Sequence, residues 1–290
     1  MIKTVTDVQP HPDADRLDIA YIEGVGYPFV CAKGLSIGDL VHHIPEGFTV
    51  SDRLKEELDL KSNKVKVTRL RGQLSYGMLI PVDQLTVEEG DIFKVEDPEH
   101  TKSRRKLPKG VDKYDIENAQ NDPELLAQML KEPIVVTEKL EGTNCSVAII
   151  EGQFYVNSRN RNVPEDDSVY WGVVRQQKLF YLAKFIGGNV ILRGEIIGPN
   201  IQGNIYDLSA PEFRLFDIEH EGKFMDHKEY SRYTDYCLHV PTLFEGKTTD
   251  VNHLINGKSC LADTLREGIV IKTQKGRNIL KYRSPEYLSK

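Results

Sequence analysis

The chain has 290 residues, enough for one large domain or two smaller ones with a substantial apolar core. Its composition is that of an ordinary globular protein, and the absence of any run of about 18 apolar residues excludes a helical membrane span. A net charge of −6 argues against nucleic-acid binding by the whole surface, so contact with phosphates has to come from local cation clusters.

Two such clusters are present. Lys61, Lys64, Lys66, Arg69 and Arg71 form the first; Lys102, Arg104, Arg105, Lys106 and Lys109 form the second. Either can be a solvated face as readily as a phosphate site. The four cysteines (Cys31, Cys145, Cys237, Cys260) are far apart with no CxxC pair, which suits reduced thiols in a cytoplasmic protein. The opening residues MIKTVTDVQPHPDADR lack an apolar signal core, which fits the same compartment, in a cell or for a virus-encoded chain in its host.

Residues 1–97 read as short strands divided by turn residues: Leu17 to Ile22, Pro28 to Ala32 and Leu40 to Ile44, then Lys64 to Leu70 and Tyr76 to Pro81. Even spacing of this kind predicts a small β-barrel, with one helix over 51–60 capped by Ser51. Residues 98–112 form a polar linker holding Pro98 and Pro108. A second domain, 113–290, opens with a helix started by Asn121-Asp122-Pro123-Glu124. Strands follow at Ile134 to Leu140, Cys145 to Ile150 and Phe154 to Asn157, with Glu151-Gly152 as a hairpin turn. A single helix is predicted over 168–186, then strands at 190–195, 213–219, 268–272 and 279–282. The fold class is α+β.

The chemistry sits in five separated stretches: Thr137-Glu138-Lys139-Leu140-Glu141-Gly142-Thr143-Asn144, then Arg193-Gly194-Glu195, Phe213 to Asp217, Glu267 to Lys272, and Lys281-Tyr282-Arg283. A lysine at a strand end, glutamates at two later strand ends and paired late cations are the parts needed to attack a nucleotide triphosphate. A free lysine has a pKa of about 10.4, so its amine becomes a nucleophile only where burial or neighbouring cations lower that value. Lys281 and Arg283 are two apart on a strand and share a face.

The order and content of these stretches resemble the covalent nucleotidyltransferases, the superfamily of ATP-dependent RNA and DNA ligases and capping enzymes. The nearest resemblance is to RNA ligases with an OB domain before the transferase domain. His11-Pro12-Asp13-Ala14-Asp15-Arg16-Leu17 and Leu70-Arg71-Gly72 carry it in the first domain, and Lys113 to Asn118 in the lead-in to the second. The resemblance implies an N-terminal OB barrel, then a transferase domain of antiparallel sheets with flanking helices. It implies that Lys139 takes AMP from ATP as a lysyl-AMP, passes it to a 5′-phosphate, and that a 3′-hydroxyl then expels AMP.

In roles implied by the same resemblance, Glu195, Glu267, Lys272 and Lys281 join Lys139 in catalysis. Glu138, Leu140, Asn144, Arg159, Glu195, Phe213, Lys272, Lys281 and Arg283 hold the nucleotide, with Phe213 stacked on adenine. Glu141, Glu195 and Glu267 serve Mg²⁺ or Mn²⁺ through water; relatives carry Asp or His where Glu141 stands. The implied partner is RNA or RNA-containing duplex ends, for a monomer that touches no membrane. A DNA ligase, a GTP-using capping enzyme and a non-catalytic end-binding module are the alternatives. DNA ligases and capping enzymes usually place their OB domain after the last transferase element. Here seven residues follow Arg283 and the barrel precedes Lys139, which favours RNA ligation.

Overall fold

The structure, a computed structural model, describes residues 1–93, 105–275 and 277–289. The start of the linker, 98–104, with Lys102 and Arg104 of the second cation cluster, lies outside the described residues. The chain divides into two compact units: residues up to 93 with 120–123 and 288–289, and residues 105–119 with 124–287. Among the described residues no helix is long and apolar enough to cross a membrane.

The first unit is built on a mostly antiparallel meander. β1 (Ile2–Pro10), β2 (Leu17–Ile22), β3 (Phe29–Ala32) and β4 (Leu40–Pro45) join a later strand, β8 (Gly77–Pro81), in the order β3-β2-β1-β4-β8. Its edges approach each other: Val30 N donates to Ser75 Oγ at 3.0 Å and Tyr76 N to Pro28 O at 3.4 Å, giving a nearly closed, barrel-like sheet. Two ribbons pair β5 (Thr49–Val50) with β9 (Ile92–Phe93) and β6 (Thr68–Leu70) with β7 (Gln73–Ser75). The predicted helix is present as α1 (Asp52–Glu57), where the Ser51 hydroxyl caps Leu54 N and Leu54 is buried. Lys61, Lys64, Lys66, Arg69 and Arg71 are all exposed.

The second unit holds two sheets. One has five strands, β10 (Glu117–Asn118), β20 (Ile279–Arg283), β19 (Gly268–Thr273), β11 (Ile134–Lys139) and β18 (Thr242–Gly246), in that order. The other has six, in the order β14 (Asn162–Val163), β13 (Gln153–Ser158), β12 (Thr143–Ile150), β15 (Val190–Ile197), β16 (Glu212–His220) and β17 (Lys223–Phe224). The hairpin at Glu151-Gly152 is present, with both residues at positive φ (50° and 77°). α2 (Pro123–Met129) starts at the predicted proline.

The helix predicted over 168–186 is two helices, α3 (Val169–Gln176) and α4 (Leu179–Ile186). Lys178 adopts the left-handed conformation at φ 54°, and the Gln177 side chain accepts from Phe213 N at 2.7 Å. The break lets both segments lay apolar faces (Trp171, Val173 and Val174; Leu179, Leu182 and Ala183) on one side of the six-stranded sheet. Periodicity alone could not reveal it, because the two helices present apolar residues to the same core.

Candidate active site

Alternation decides which side chains the five-stranded sheet offers. Ile134 and Val136 enter the core beneath it, so Val135, Thr137 and Lys139 face the other way. Register carries that face across the sheet: Val135 lies beside Lys272, Lys139 beside Gly268, Val270 beside Lys281, and Gly268 beside Arg283. Lys139, Lys272, Lys281 and Arg283 therefore share one face, although 144 residues separate the first from the last (283 − 139). Lys139 Nζ donates to Glu267 Oε2 at 2.6 Å, and Arg283 Nε lies 3.8 Å from the other carboxylate oxygen.

The six-stranded sheet supplies the second wall. Cys145, Val147 and Ile149 point into the helix-side core, which turns Asn144 and Ser146, with their partners Glu195 and Arg193, to the opposite face. Glu195 is half-buried there. Burial above all, reinforced by Glu267 and opposed by Lys139 and Arg159, pushes its carboxyl up to about 8. Lys281 is held below the ordinary lysine range by burial, then by Lys139, Arg159 and Arg283 against the pull of Glu117. Lys272 spans the two sheets: its Nζ donates to Phe216 O at 2.6 Å and to Asp217 Oδ2 at 3.1 Å.

The placement of Phe213 corrects the sequence reading. Strict alternation put Phe213, Leu215 and Asp217 on one face and Phe216 on the other. A bulge intervenes: Leu215 pairs with Gly194 and Asp217 with Arg193, leaving Phe216 as the extra residue. Phe213 and Leu215 consequently sit fully buried in the helix-side core, away from Glu195, while Asp217 joins Arg193 on the face of the site. Phe216 is partly buried against Leu140 and Ile197, with its ring centroid 4.9 Å from that of Tyr114 and 5.8 Å from Lys272 Nζ. Gly194 is glycine because a Cβ there would fall 2.2 Å from the Phe213 ring.

Glu138 faces away from Lys139, as adjacent strand residues must; its Oε2 accepts from Cys260 N at 2.8 Å. Leu140 is buried in the cluster that includes Phe216, and Asn144 stands in register with Glu195. Glu141 is engaged by two tyrosines: its backbone N donates to Tyr206 Oη at 2.6 Å, and its carboxylate accepts from the Tyr287 hydroxyl. Among the described residues no group of three or more His, Cys, Asp or Glu is arranged to hold a metal ion directly. Glu141, Glu195 and Glu267 thus do not form a closed ligand set. Gly142 has a structural demand of its own. A Cβ at that position would lie 2.4 Å from Ile196 O and 2.7 Å from Glu195 Cγ, so the space belongs to β15. Arg159 is exposed at the end of β13 and forms an ion pair with Asp115.

Sequence reasoning missed a second layer. The buried Asp217 carboxylate accepts from Tyr114 Oη at 2.6 Å and from Arg277 Nη1 at 2.7 Å, besides Lys272. Arg277 lies over the Phe224 ring, 3.2 Å from its centroid. The buried acid, held by Tyr114 and Arg277, fixes Lys272 beside Phe216. The available signal was Asp217 itself, an acid inside an apolar strand.

A family profile described as RNA ligase matches residues 132–283, 152 of the 290 residues (283 − 132 + 1), and so spans every one of the five stretches. The chain belongs to the RNA ligase family. No curated protein sequence matches it. Among solved structures it is similar to Naegleria gruberi RNA ligase. With the form bound to pyrophosphate it shares 26% identity at TM-score 0.83, covering 99% of this chain and 96% of that one. A variant of that ligase with AMP and Mn and another with ATP and Mn each give 26% identity and TM-score 0.83, covering 99% of this chain and 97% of theirs. The match therefore includes both units of this RNA ligase family member.

Proposed function

We propose that the protein is an ATP-dependent RNA ligase that joins a 3′-hydroxyl to a 5′-phosphate, with Lys139 as the nucleophile. The observation that carries the reading is the meeting of Lys139 Nζ with Glu267 at 2.6 Å on a face that also presents Lys272, Lys281 and Arg283. Lys139 Nζ attacks the α-phosphorus of ATP. The N–P bond forms as the bond to the bridging oxygen breaks, pyrophosphate leaves, and Glu267 is placed to receive the amine proton. A 5′-phosphate oxygen then attacks the same phosphorus and releases the lysine; finally a 3′-hydroxyl attacks the 5′-phosphorus, loses its proton and expels AMP. Lys281 and Arg283 stabilise charge on the phosphate oxygens in each step.

The residues fit a nucleotide. Asn118, in register with Lys281, has a buried Oδ1 with no partner, and a ribose hydroxyl supplies the donor it lacks. Phe216, rather than Phe213, is assigned to stack on the base, with Leu140 lining it and Lys272 held at its edge. A divalent cation, when bound, offsets charge on the phosphates. Glu195 and Glu267, both facing the site, would reach such an ion through its waters, which suits a hard cation that keeps most of them. Residues 1–97 are assigned as the OB domain, 98–112 as the linker and 113–290 as the transferase domain.

Incubation with ATP and Mg²⁺ is expected to add the mass of one AMP to the protein and none to Lys139→Ala. Labelling by GTP and not ATP would transfer the assignment to the capping enzymes. Equal sealing of all-DNA and RNA-terminated nicks would transfer it to the DNA ligases.

A further inference from the structure

Arg105, Lys106 and Lys109 of the second cation cluster have a place in the fold that the chemistry above does not use. Residues 105–112 form a strap across the same face of the six-stranded sheet that carries Glu195. Leu107 and Val111 pack on Ala148, Ile150, Ile191 and Tyr155. Ala148 and Tyr155 are cross-strand partners on β12 and β13, so the strap covers the face opposite α3 and α4. Both ends are tied: Asn162 N donates to Arg105 O at 3.2 Å, and Arg193 Nη1 donates to Asp112 O at 2.9 Å.

Anchoring by the two apolar residues leaves Arg105, Lys106 and Lys109 exposed. These three, with Tyr155 and Gln153, line an open cavity of about 630 Å³, in which Glu151 is the one acid among the described residues. β13 leads from this cavity toward the site. Gln153 to Ser158 covers about 17 Å at roughly 3.3 Å per residue, and the next residue is Arg159. Asp115, three residues beyond the strap, pairs with Arg159 at that end of the strand. In a chain of net charge −6, three exposed cations held at fixed positions on the reacting face are a local attraction for a polyanion.

We propose that this groove is a substrate subsite, which holds the phosphodiester backbone of the RNA a few nucleotides from the end being joined. Arg105, Lys106 and Lys109 contact phosphates, and the exposed Gln153 amide and the Tyr155 ring face the sugars and bases. The proposal rests on the ligase reading for the identity of the strand. The pinned strap makes the contact positional rather than a loose tail, so it sets substrate affinity and leaves AMP capture alone.

The test uses the full chain carrying Arg105→Gln, Lys106→Gln and Lys109→Gln together, and a charge-keeping control, Lys106→Arg with Lys109→Arg. Fluorescence anisotropy is read on a nicked duplex whose 5′-end is a hydroxyl, so no chemistry occurs. Binding by the triple variant is expected to weaken by tenfold or more in ~50 mM salt. The slope of log affinity against log salt should fall by about two to three, roughly one for each lost phosphate contact. The control keeps the wild-type slope, and AMP transfer from ATP proceeds at the wild-type rate in every variant. Unchanged affinity and slope in the triple variant overturn the proposal. So does an equal loss in AMP transfer, which would mark a folding defect. Failure of the wild type to form any AMP adduct would instead strike the ligase assignment, and the anisotropy result would still decide the groove.

Discussion

Phe213 and Phe216 lie three residues apart on β16 and are assigned opposite duties, which separates stability from nucleotide binding in one experiment. Phe213 is fully buried in the helix-side core against Gly194 and Leu215. Truncation to alanine leaves a cavity and should cost about 3–5 kcal/mol of unfolding free energy, a large part of the 5–15 kcal/mol typical of a domain. For a unit of this size that is a fall of roughly 6–20 °C in melting temperature. Phe216 is the bulge residue, partly buried beside Leu140, Tyr114 and Lys272. Loss of one base–aromatic stack is worth about 1–3 kcal/mol, so Phe216→Ala should raise KM for ATP by roughly 5- to 150-fold. Urea unfolding and an AMP-transfer assay on Phe213→Leu, Phe213→Ala and Phe216→Ala read both quantities. The assignment fails if Phe213→Leu, the gentler change, loses ATP affinity at near-normal stability while Phe216→Ala keeps it.

Three further outcomes are expected. Since burial lifts the Glu195 carboxyl to about 8, AMP transfer at low ATP should climb as pH rises through 8, and Glu195→Gln should abolish that limb. The linked effect on stability has the opposite sign. Between the ordinary carboxyl range and pH 8 the folded state binds more protons than the unfolded one, so stability should decline with rising pH there and flatten in Glu195→Gln, as denaturant melts at several pH values would reveal. Gly142→Ala forces a methyl group to within 2.4 Å of Ile196 O, and overpacking of that kind should cost about 1–3 kcal/mol and slow AMP transfer by displacing Glu195; wild-type values on both counts would refute the crowding argument. At Lys178, held at φ 54°, a glycine should be neutral or stabilising by up to about 1 kcal/mol while isoleucine should destabilise, and the reverse order in thermal melts would contradict the break between α3 and α4.

The sequence by itself determined the local matters. Ser51 and Pro123 marked helix starts, Glu151-Gly152 marked a hairpin, and the strands carrying Lys139 and Glu195 were readable, although the second runs on to Ile197 and Glu195 lies inside it, because propensity, caps and turns act over a few residues. The five stretches were legible too, since the reactive side chains lie within short runs that resemble a known family. Tertiary structure alone decided which of them meet. Lys139 reaches Glu267 because β11 and β19 pair in a register that no local pattern encodes. The bulge at Phe216, which turns Phe213 into core and Asp217 into the site, follows from pairing with β15 and leaves no mark on the period of β16. The Tyr114–Asp217–Arg277 contacts join residues 103 and 60 apart, so only the packed chain could bring them together. Alternation fixes two faces for an ideal strand, but partners decide where that alternation slips.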